Sequence, residues 1–388
     1  MEKIINFDHA SATQPLPEVV ESMKPYLREV FGNPSSMHSA GQKAKEAIDK
    51  AREQVARLIN ASPEEIVFTA SGSEANNFAL KGVAFAHRNK GDHIVVSAIE
   101  HFSVLQAAKS LEKLGYKVTQ IPVDKTGLVD PDDVKKAITD KTILVSVMHA
   151  NGEVGTIEPI EEIASIAKEK GVLFHSDGVQ TVGTIPVDVK KLQVDFLSFA
   201  AQTFYGPKGV AGLYIRKGAR IDPLIHGGIQ EGGRRAGTEN VMGIVGLGTA
   251  AELAAKDMTQ RIDHVQSLRD LLIKSIEEKI DQVYLHGHRT LRLPNNVSFG
   301  FEYIEGESIL LFLGMENIVA SSGSACTSKA LKASHVLLAM GVSPALANGT
   351  ILFSLGIDNT EAEVNLLLEK LPPIVERLRA MSPLYQKR

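Results

Sequence analysis

Val172-Leu173-Phe174-His175-Ser176-Asp177-Gly178-Val179-Gln180 runs from a short apolar stretch straight into a polar cluster. The apolar part reads as a β-strand over 172–175, and the residues after it as the loop at that strand's carboxyl end. Comparable runs recur at 66–69, 93–97, 143–148, 196–199 and 210–215. Helical patterns lie between them. In the segment 42–60, Ala44, Ile48, Ala51, Val55, Leu58 and Ile59 fall at helical spacing. Strand and helix in alternation predict an α/β domain around a mainly parallel sheet.

In an open α/β sheet, ligands gather at the carboxyl ends of the strands. Ser71-Gly72-Ser73-Glu74 follows the first run and opens a helix, so its free backbone N–H groups would form an anion cup. Glu100-His101 follows the second, His149-Ala150-Asn151 the third, and the cluster ending in Gln180 the fourth. Each taken singly is explained equally by a helix cap or a loop turn. Their recurrence at successive strand ends makes them one candidate site.

Beyond residue 217 the character changes. A Gly-rich stretch over 218–240 precedes a long helical pattern over 242–279. The remainder reads as a smaller α+β unit, with strands near 296–301 and 318–321. Its closing helix, 360–381, is expected to be interrupted by Pro372 and Pro373. The expected division is a large domain over 15–255 and a small domain formed by 1–14 and 256–388.

The 388 residues carry a net charge of −4, which gives no sign of nucleic acid or an acidic membrane as partner. No apolar run approaches the roughly 20 residues of a membrane span. The N-terminal Met1-Glu2-Lys3-Ile4-Ile5-Asn6-Phe7-Asp8 lacks the apolar core of a signal peptide. The single cysteine, Cys326, excludes an internal disulfide framework and fits a reducing compartment, so a cytoplasmic location is expected. Cys326 sits among small residues in Ala320-Ser321-Ser322-Gly323-Ser324-Ala325-Cys326-Thr327-Ser328. One reading is a small buried hydrophobe. The other is a thiol placed to react or to ligate a metal.

These segments together resemble the NifS/IscS-type cysteine desulfurases, which have the fold-type I architecture of pyridoxal phosphate (PLP) enzymes. The resemblance spans essentially the whole chain. It includes residues 8–13, Gly32-Asn33-Pro34-Ser35-Ser36-Met37-His38, residues 69–77, Asn151-Gly152-Glu153-Val154-Gly155, and Tyr205-Gly206-Pro207-Lys208-Gly209. It continues through Arg235-Ala236-Gly237-Thr238, Arg292-Leu293-Pro294-Asn295-Asn296 and residues 321–328. The resemblance implies that His101 stacks on the pyridine ring of PLP and that Asp177 pairs with the ring nitrogen. It implies that Asn151 and Gln180 face the ring's phenolic oxygen, that Ser73 holds the phosphate, and that Thr238 reaches the phosphate of the other subunit in a homodimer. Cys326 matches the nucleophile that takes sulfur as a persulfide and passes it to iron–sulfur assembly partners.

The chain departs from the family where the chemistry is concentrated. The family's segment Ser-x-His-Lys-x-x-Gly-Pro-Lys-Gly reads here Ala200-Ala201-Gln202-Thr203-Phe204-Tyr205-Gly206-Pro207-Lys208-Gly209. Thr203 stands at the lysine position, and a hydroxyl can neither form an imine nor serve as the amine base. Gln202 and Ala200 replace a histidine and a serine. Leu352 replaces the arginine that would clamp a substrate carboxylate, and Ile357 and Gly232 stand where further arginines are common. Meanwhile the Cys326 segment is kept.

The expected function is therefore iron–sulfur cluster biogenesis through Cys326, as persulfide carrier or as ligand of a [2Fe–2S] cluster shared with an IscU-type scaffold. Such a cluster needs more thiolates than one cysteine supplies. The alternatives are a working PLP-dependent desulfurase without the usual lysine, with His101 as the nearest substitute base, and a structural dimer with no sulfur chemistry.

Overall fold

The computed structural model describes residues 4–322 and 333–385. Cys326 lies outside the described residues. After a short strand β1 (Ile5–Asn6), the chain forms β2 (Ile66–Thr69), β3 (His93–Ser97), β4 (Lys117–Ile121), β5 (Thr142–Ser146), β6 (Leu173–Asp177), β7 (Phe196–Ala200) and β8 (Ala211–Ile215). These last seven make one sheet in the order β2-β8-β7-β6-β5-β3-β4. Strand β8 runs antiparallel to both its neighbours, and every other pairing in the sheet is parallel. The mainly parallel α/β architecture expected from the alternating pattern is what the structure has.

Every residue of β2, β3, β5, β7 and β8 is buried, as a sheet covered on both faces requires. Alternate side chains serve opposite layers. Ile94, Val96, Phe196 and Leu213 pack against Phe78, Leu80, Val83 and Leu111 of the helices Gly72–Ala86 and Phe102–Glu112. Val95, Val145, Phe174, Leu197 and Phe199 pack on the other side with Ile48, Val55, Ile163 and Leu247. Strand β4 went unread in the sequence because Lys-Val-Thr-Gln-Ile is an edge strand with little apolar content.

The C-terminal part adds β9 (Val283–Leu285), β10 (Asn296–Phe301), β11 (Ile318–Val319) and β12 (Thr350–Ser354). Strands β9, β10 and β12 form an antiparallel sheet in the order β12-β10-β9, and β11 pairs in parallel with β1. The helix Val241–Lys279 joins both halves. Ile244, Leu247, Ala251 and Ala254 belong to the core on the large sheet, whereas Leu268, Leu272, Ile273 and Ile276 belong to a second core with Phe299, Phe301 and Phe353. A domain edge at residue 255 therefore falls within this one helix. Gly248 lets the helix lie close to Ser39–Leu58, because a Cβ there would come within 2.6 Å of the Ala51 backbone.

One sequence expectation is corrected. The closing helix is continuous over Glu361–Met381, with Pro372 and Pro373 inside it. Two prolines delete two N–H donors, but Leu367, Leu368, Leu371 and Val375 are buried on both sides of the pair and hold the segment helical. Among the described residues no helix is long and apolar enough to cross a membrane.

Candidate functional site

The carboxyl ends of β3, β5, β6 and β7 surround a cavity of about 450 Å³. It gathers Glu100, His101 and Ser103 from beyond β3, and Asn151 and Glu153 from beyond β5. Asp177 and Gln180 come from the end of β6, and Gln202 and Thr203 from beyond β7. Ser71 and Ser73, at the start of the helix Gly72–Ala86, close one side, and Ser321, His335 and Leu352 close the other. A larger surface cleft, between Ser62, Arg216 and Arg234, lies beyond the far end of β8, away from this convergence of polar loops.

Asp177 is the buried anchor. Its Oδ2 accepts from Asn76 Nδ2 at 2.6 Å and its Oδ1 from the Val179 N–H at 3.0 Å. Burial pushes its carboxyl up, while His101 and the two donors pull it back. The second Asn76 N–H goes to Ser103 Oγ at 2.9 Å, and that hydroxyl donates to His101 Nδ1 at 2.7 Å. The Ser103 backbone N–H also donates to His101 Nδ1. The neutral His101 ring is thereby held with its proton on Nε2, so it offers a donor. Asp177 and His101 are thus linked through two uncharged residues.

Two carboxyl groups lie in the same wall. Glu100 is fully buried, and burial pushes it up to about 8 against the lowering effect of its bonds from the Ser97 hydroxyl and the Met148 N–H. Its Oε2 has no partner among the described residues. Burial likewise pushes Glu153 up to about 7, with only the Ser334 hydroxyl opposing the shift. At neutral pH both hold protons for an appreciable part of the time.

The remaining expected residues fall in several places. Asn151 lines the cavity, but its amide organises the loop: Nδ2 donates to the Ile99 carbonyl, and Oδ1 accepts from Glu153 and Val154 N–H. Gln180 Nε2 donates to the Ala10 carbonyl at 3.1 Å. Ser73 stands exposed on the first helical turn. Thr238 is exposed in the loop before Val241–Lys279 and does not reach this chain's own cavity. His175 lies inside the sheet, between Ser146 and Ser198, and burial pushes it down to about 3. His149 is also buried away from the cavity.

Thr203 closes the floor. Its hydroxyl donates toward the Val179 carbonyl at 2.6 Å and the Ala200 carbonyl at 3.0 Å. Leu352 is buried in β12 and turns an aliphatic side chain into the cavity, its backbone tied to Ser321 in both directions. No lysine and no arginine lines the cavity among the described residues.

The class-V aminotransferase profile matches residues 5–367. Cysteine desulfurase IscS of Dictyoglomus turgidum is 53% identical over 387 residues, covering all of this chain and 98% of that protein. Cysteine desulfurase IscS 1 of Archaeoglobus fulgidus is 51% identical, covering 98% of this chain and 99% of its own length. The chain belongs to the class-V aminotransferase family, among the IscS/NifS cysteine desulfurases. A solved structure of a NifS-like protein superposes with a TM-score of 0.91 at 40% identity, over 97% of this chain and all of that one. For a desulfurase-family chain the cavity is where the family's cofactor, PLP, is expected. Asp177 and His101, the acid and histidine that the resemblance sets against the ring, line the cavity, but among the described residues its lining does not fit the family's covalent attachment, because it holds no amine.

Among the lining residues missed in the sequence are Asn76, Ser103, Glu153 and His335. Asn76 and Ser103 sit inside helices, where a polar residue reads as surface. Glu153 lies in the loop after β5 and His335 opens a short helix, and neither position carried a sequence signal of its own.

Proposed function

We propose that this desulfurase-family protein serves iron–sulfur cluster biogenesis through Cys326, which receives sulfur or ligates a cluster, and that conventional PLP-dependent desulfuration is lost. The observation that carries this reading is a cavity whose described lining holds no lysine or arginine, its floor formed by a threonine whose hydroxyl is spent on two carbonyls. Without an amine there is neither a covalent anchor nor the usual base. Without an arginine, the carboxylate of an amino-acid substrate meets Leu352 and a wall that already carries Glu100, Glu153 and Asp177.

Cys326 is then an acceptor or a ligand. A [2Fe–2S] cluster would be shared, with the remaining thiolates supplied by an IscU-type scaffold. The protein would act as a cytoplasmic homodimer, each Thr238 contributing to its partner's site. Sulfide release from L-cysteine by the purified protein, with PLP and reductant, tests the loss of desulfuration. The expected result is no sulfide above the PLP-only background. Multiple turnover that disappears in Cys326→Ala would refute it.

A second reading is favoured by one observation, the retained link from Asp177 through Asn76 and Ser103 to His101. Under it the protein remains a cysteine desulfurase with untethered PLP. Asp177, His101, Asn151, Gln180 and Ser73 would hold the cofactor, which supplies an electron sink. The same sulfide measurement separates the two readings.

A further inference from the structure

His335 opens the short helix His335–Ala339 and forms part of the cavity wall. Its Nε2 lies 2.9 Å from the Glu100 backbone carbonyl oxygen. A carbonyl oxygen only accepts, so Nε2 must carry the hydrogen. In the neutral ring the lone pair is then on Nδ1. Nδ1 has no partner among the described residues. The ring is also held by Phe102, the two ring centroids lying 4.5 Å apart at 46°. Its orientation is therefore fixed by a hydrogen bond on one edge and an aromatic contact on one face.

His101, which lines the same cavity, has the opposite polarity, since its Nδ1 is filled by Ser103 and its proton sits on Nε2. One imidazole offers a proton and the other a lone pair. We propose that His335 is the cavity's proton acceptor, and that it takes the proton of a small S–H compound, hydrogen sulfide being the smallest. The S–H bond breaks, its electron pair stays on sulfur, and the proton goes to His335 Nδ1, giving a hydrosulfide anion beside an imidazolium. No oxidant or further reactant is needed.

The surroundings suit this exchange. Burial lowers the basicity of His335, as does His101, while the Glu100 carbonyl raises it, so the ring is neutral and ready to accept at neutral pH. Among the described residues, the other titratable groups facing the cavity are Glu100, His101, Glu153 and Asp177. The ionised fraction of these acids stabilises the imidazolium once formed, and the His101 Nε2–H is a donor for the sulfur anion. A thiol that also carries a carboxylate is disfavoured, because among the described residues no lysine or arginine of the lining would neutralise it.

The inference rests on the cavity handling sulfur, as proposed above, and its test is made separable by using the full chain with Cys326→Ser. Sodium sulfide is added at a pH where the free compound is mainly protonated. Histidine ¹⁵N resonances, with His335 assigned by its loss in His335→Gln, report each ring's protonation. The expected result is conversion of His335 from the Nε2–H form to the doubly protonated form on adding sulfide. The ultraviolet absorbance of bound hydrosulfide rises with it, and in Cys326→Ser/His335→Gln falls by at least about tenfold, one pKa unit's worth. A His335 ring that stays neutral while sulfide binds, no binding of sulfide, or an undiminished anion signal in His335→Gln would each overturn the assignment. If His335→Gln does not fold, the resonances of Cys326→Ser decide alone, with His335 assigned by elimination against the other histidines. Because Cys326 is absent from every sample, failure here leaves its role as cluster ligand to be judged by its own experiment.

Discussion

Thr203→Lys should restore an anchor for PLP without restoring an efficient desulfurase. The substitution removes a hydroxyl that bonds the Val179 and Ala200 carbonyls. Such a hydrogen bond contributes about 1 kcal/mol net, small beside a folding stability of roughly 5–15 kcal/mol, so the variant should fold. The new side chain enters a cavity of about 450 Å³ whose wall carries the carboxyl groups of Asp177 and Glu100. Borohydride reduction followed by mass spectrometry should then find PLP covalently bound to the variant and not to the parent chain. Turnover is a separate matter. With Leu352 in place, the carboxylate of L-cysteine lacks its clamp, a deficit of about 2–4 kcal/mol, or roughly 30- to 1,000-fold in kcat/KM. Thr203→Lys should therefore release sulfide only weakly, and Thr203→Lys/Leu352→Arg should exceed it by a factor in that range. The two changes act on one substrate, so their effects should couple more than additively. Covalent PLP on the parent chain, or single and double variants of equal activity, would refute the reasoning.

Two further outcomes concern stability. The pKa of Glu100 is raised by folding to about 8 and that of Glu153 to about 7, so their contribution is full below the unfolded carboxyl range and is lost as pH rises toward the folded values. His149, held down to about 4, and His175, held down to about 3, oppose this at acid pH, losing stability as pH falls below the ordinary imidazole range. Above about pH 6.5 the histidine effect is spent, and stability should decline toward pH 8. Glu100→Gln keeps an acceptor for the Ser97 hydroxyl and the Met148 N–H, so urea unfolding should show a shallower decline over that window; an unchanged slope would contradict it. Arg52 grips the buried Glu231 with two bonds of 2.8 and 2.7 Å, and Glu231 also accepts the Phe68 N–H. Arg52→Met should cost about 3–5 kcal/mol by leaving that carboxylate uncompensated, and a loss below about 1 kcal/mol in the same assay would show that the pair is not buried in this way.

Most of the framework was legible because buried strands announce themselves. Strands β3 and β5 carry the apolar centres Ile94-Val95-Val96 and Ile143-Leu144-Val145, β7 is apolar but for Ser198, and each is followed by a polar cluster that the fold brings to one cavity. Edge strand β4 carried no such signal, and the paired prolines suggested a break that packing overrides. Within the site, Asp177, His101 and Thr203 could be placed from motif position. Their couplings could not, since the link through Asn76 and Ser103 joins a helix after β2, a helix after β3 and the end of β6. The lone pair on His335 was also hidden. Which imidazole nitrogen carries the hydrogen depends on a carbonyl 235 residues away in sequence, and no spacing rule encodes that.

The most direct measurement mixes this protein anaerobically with an IscU-type scaffold, iron and sulfide, and compares it with Cys326→Ser by visible absorption and cluster content. If Cys326 supplies a ligand, the parent complex holds a [2Fe–2S] cluster whose spectrum and stability change in Cys326→Ser. Identical cluster formation and an identical spectrum in the two would contradict the role proposed for Cys326.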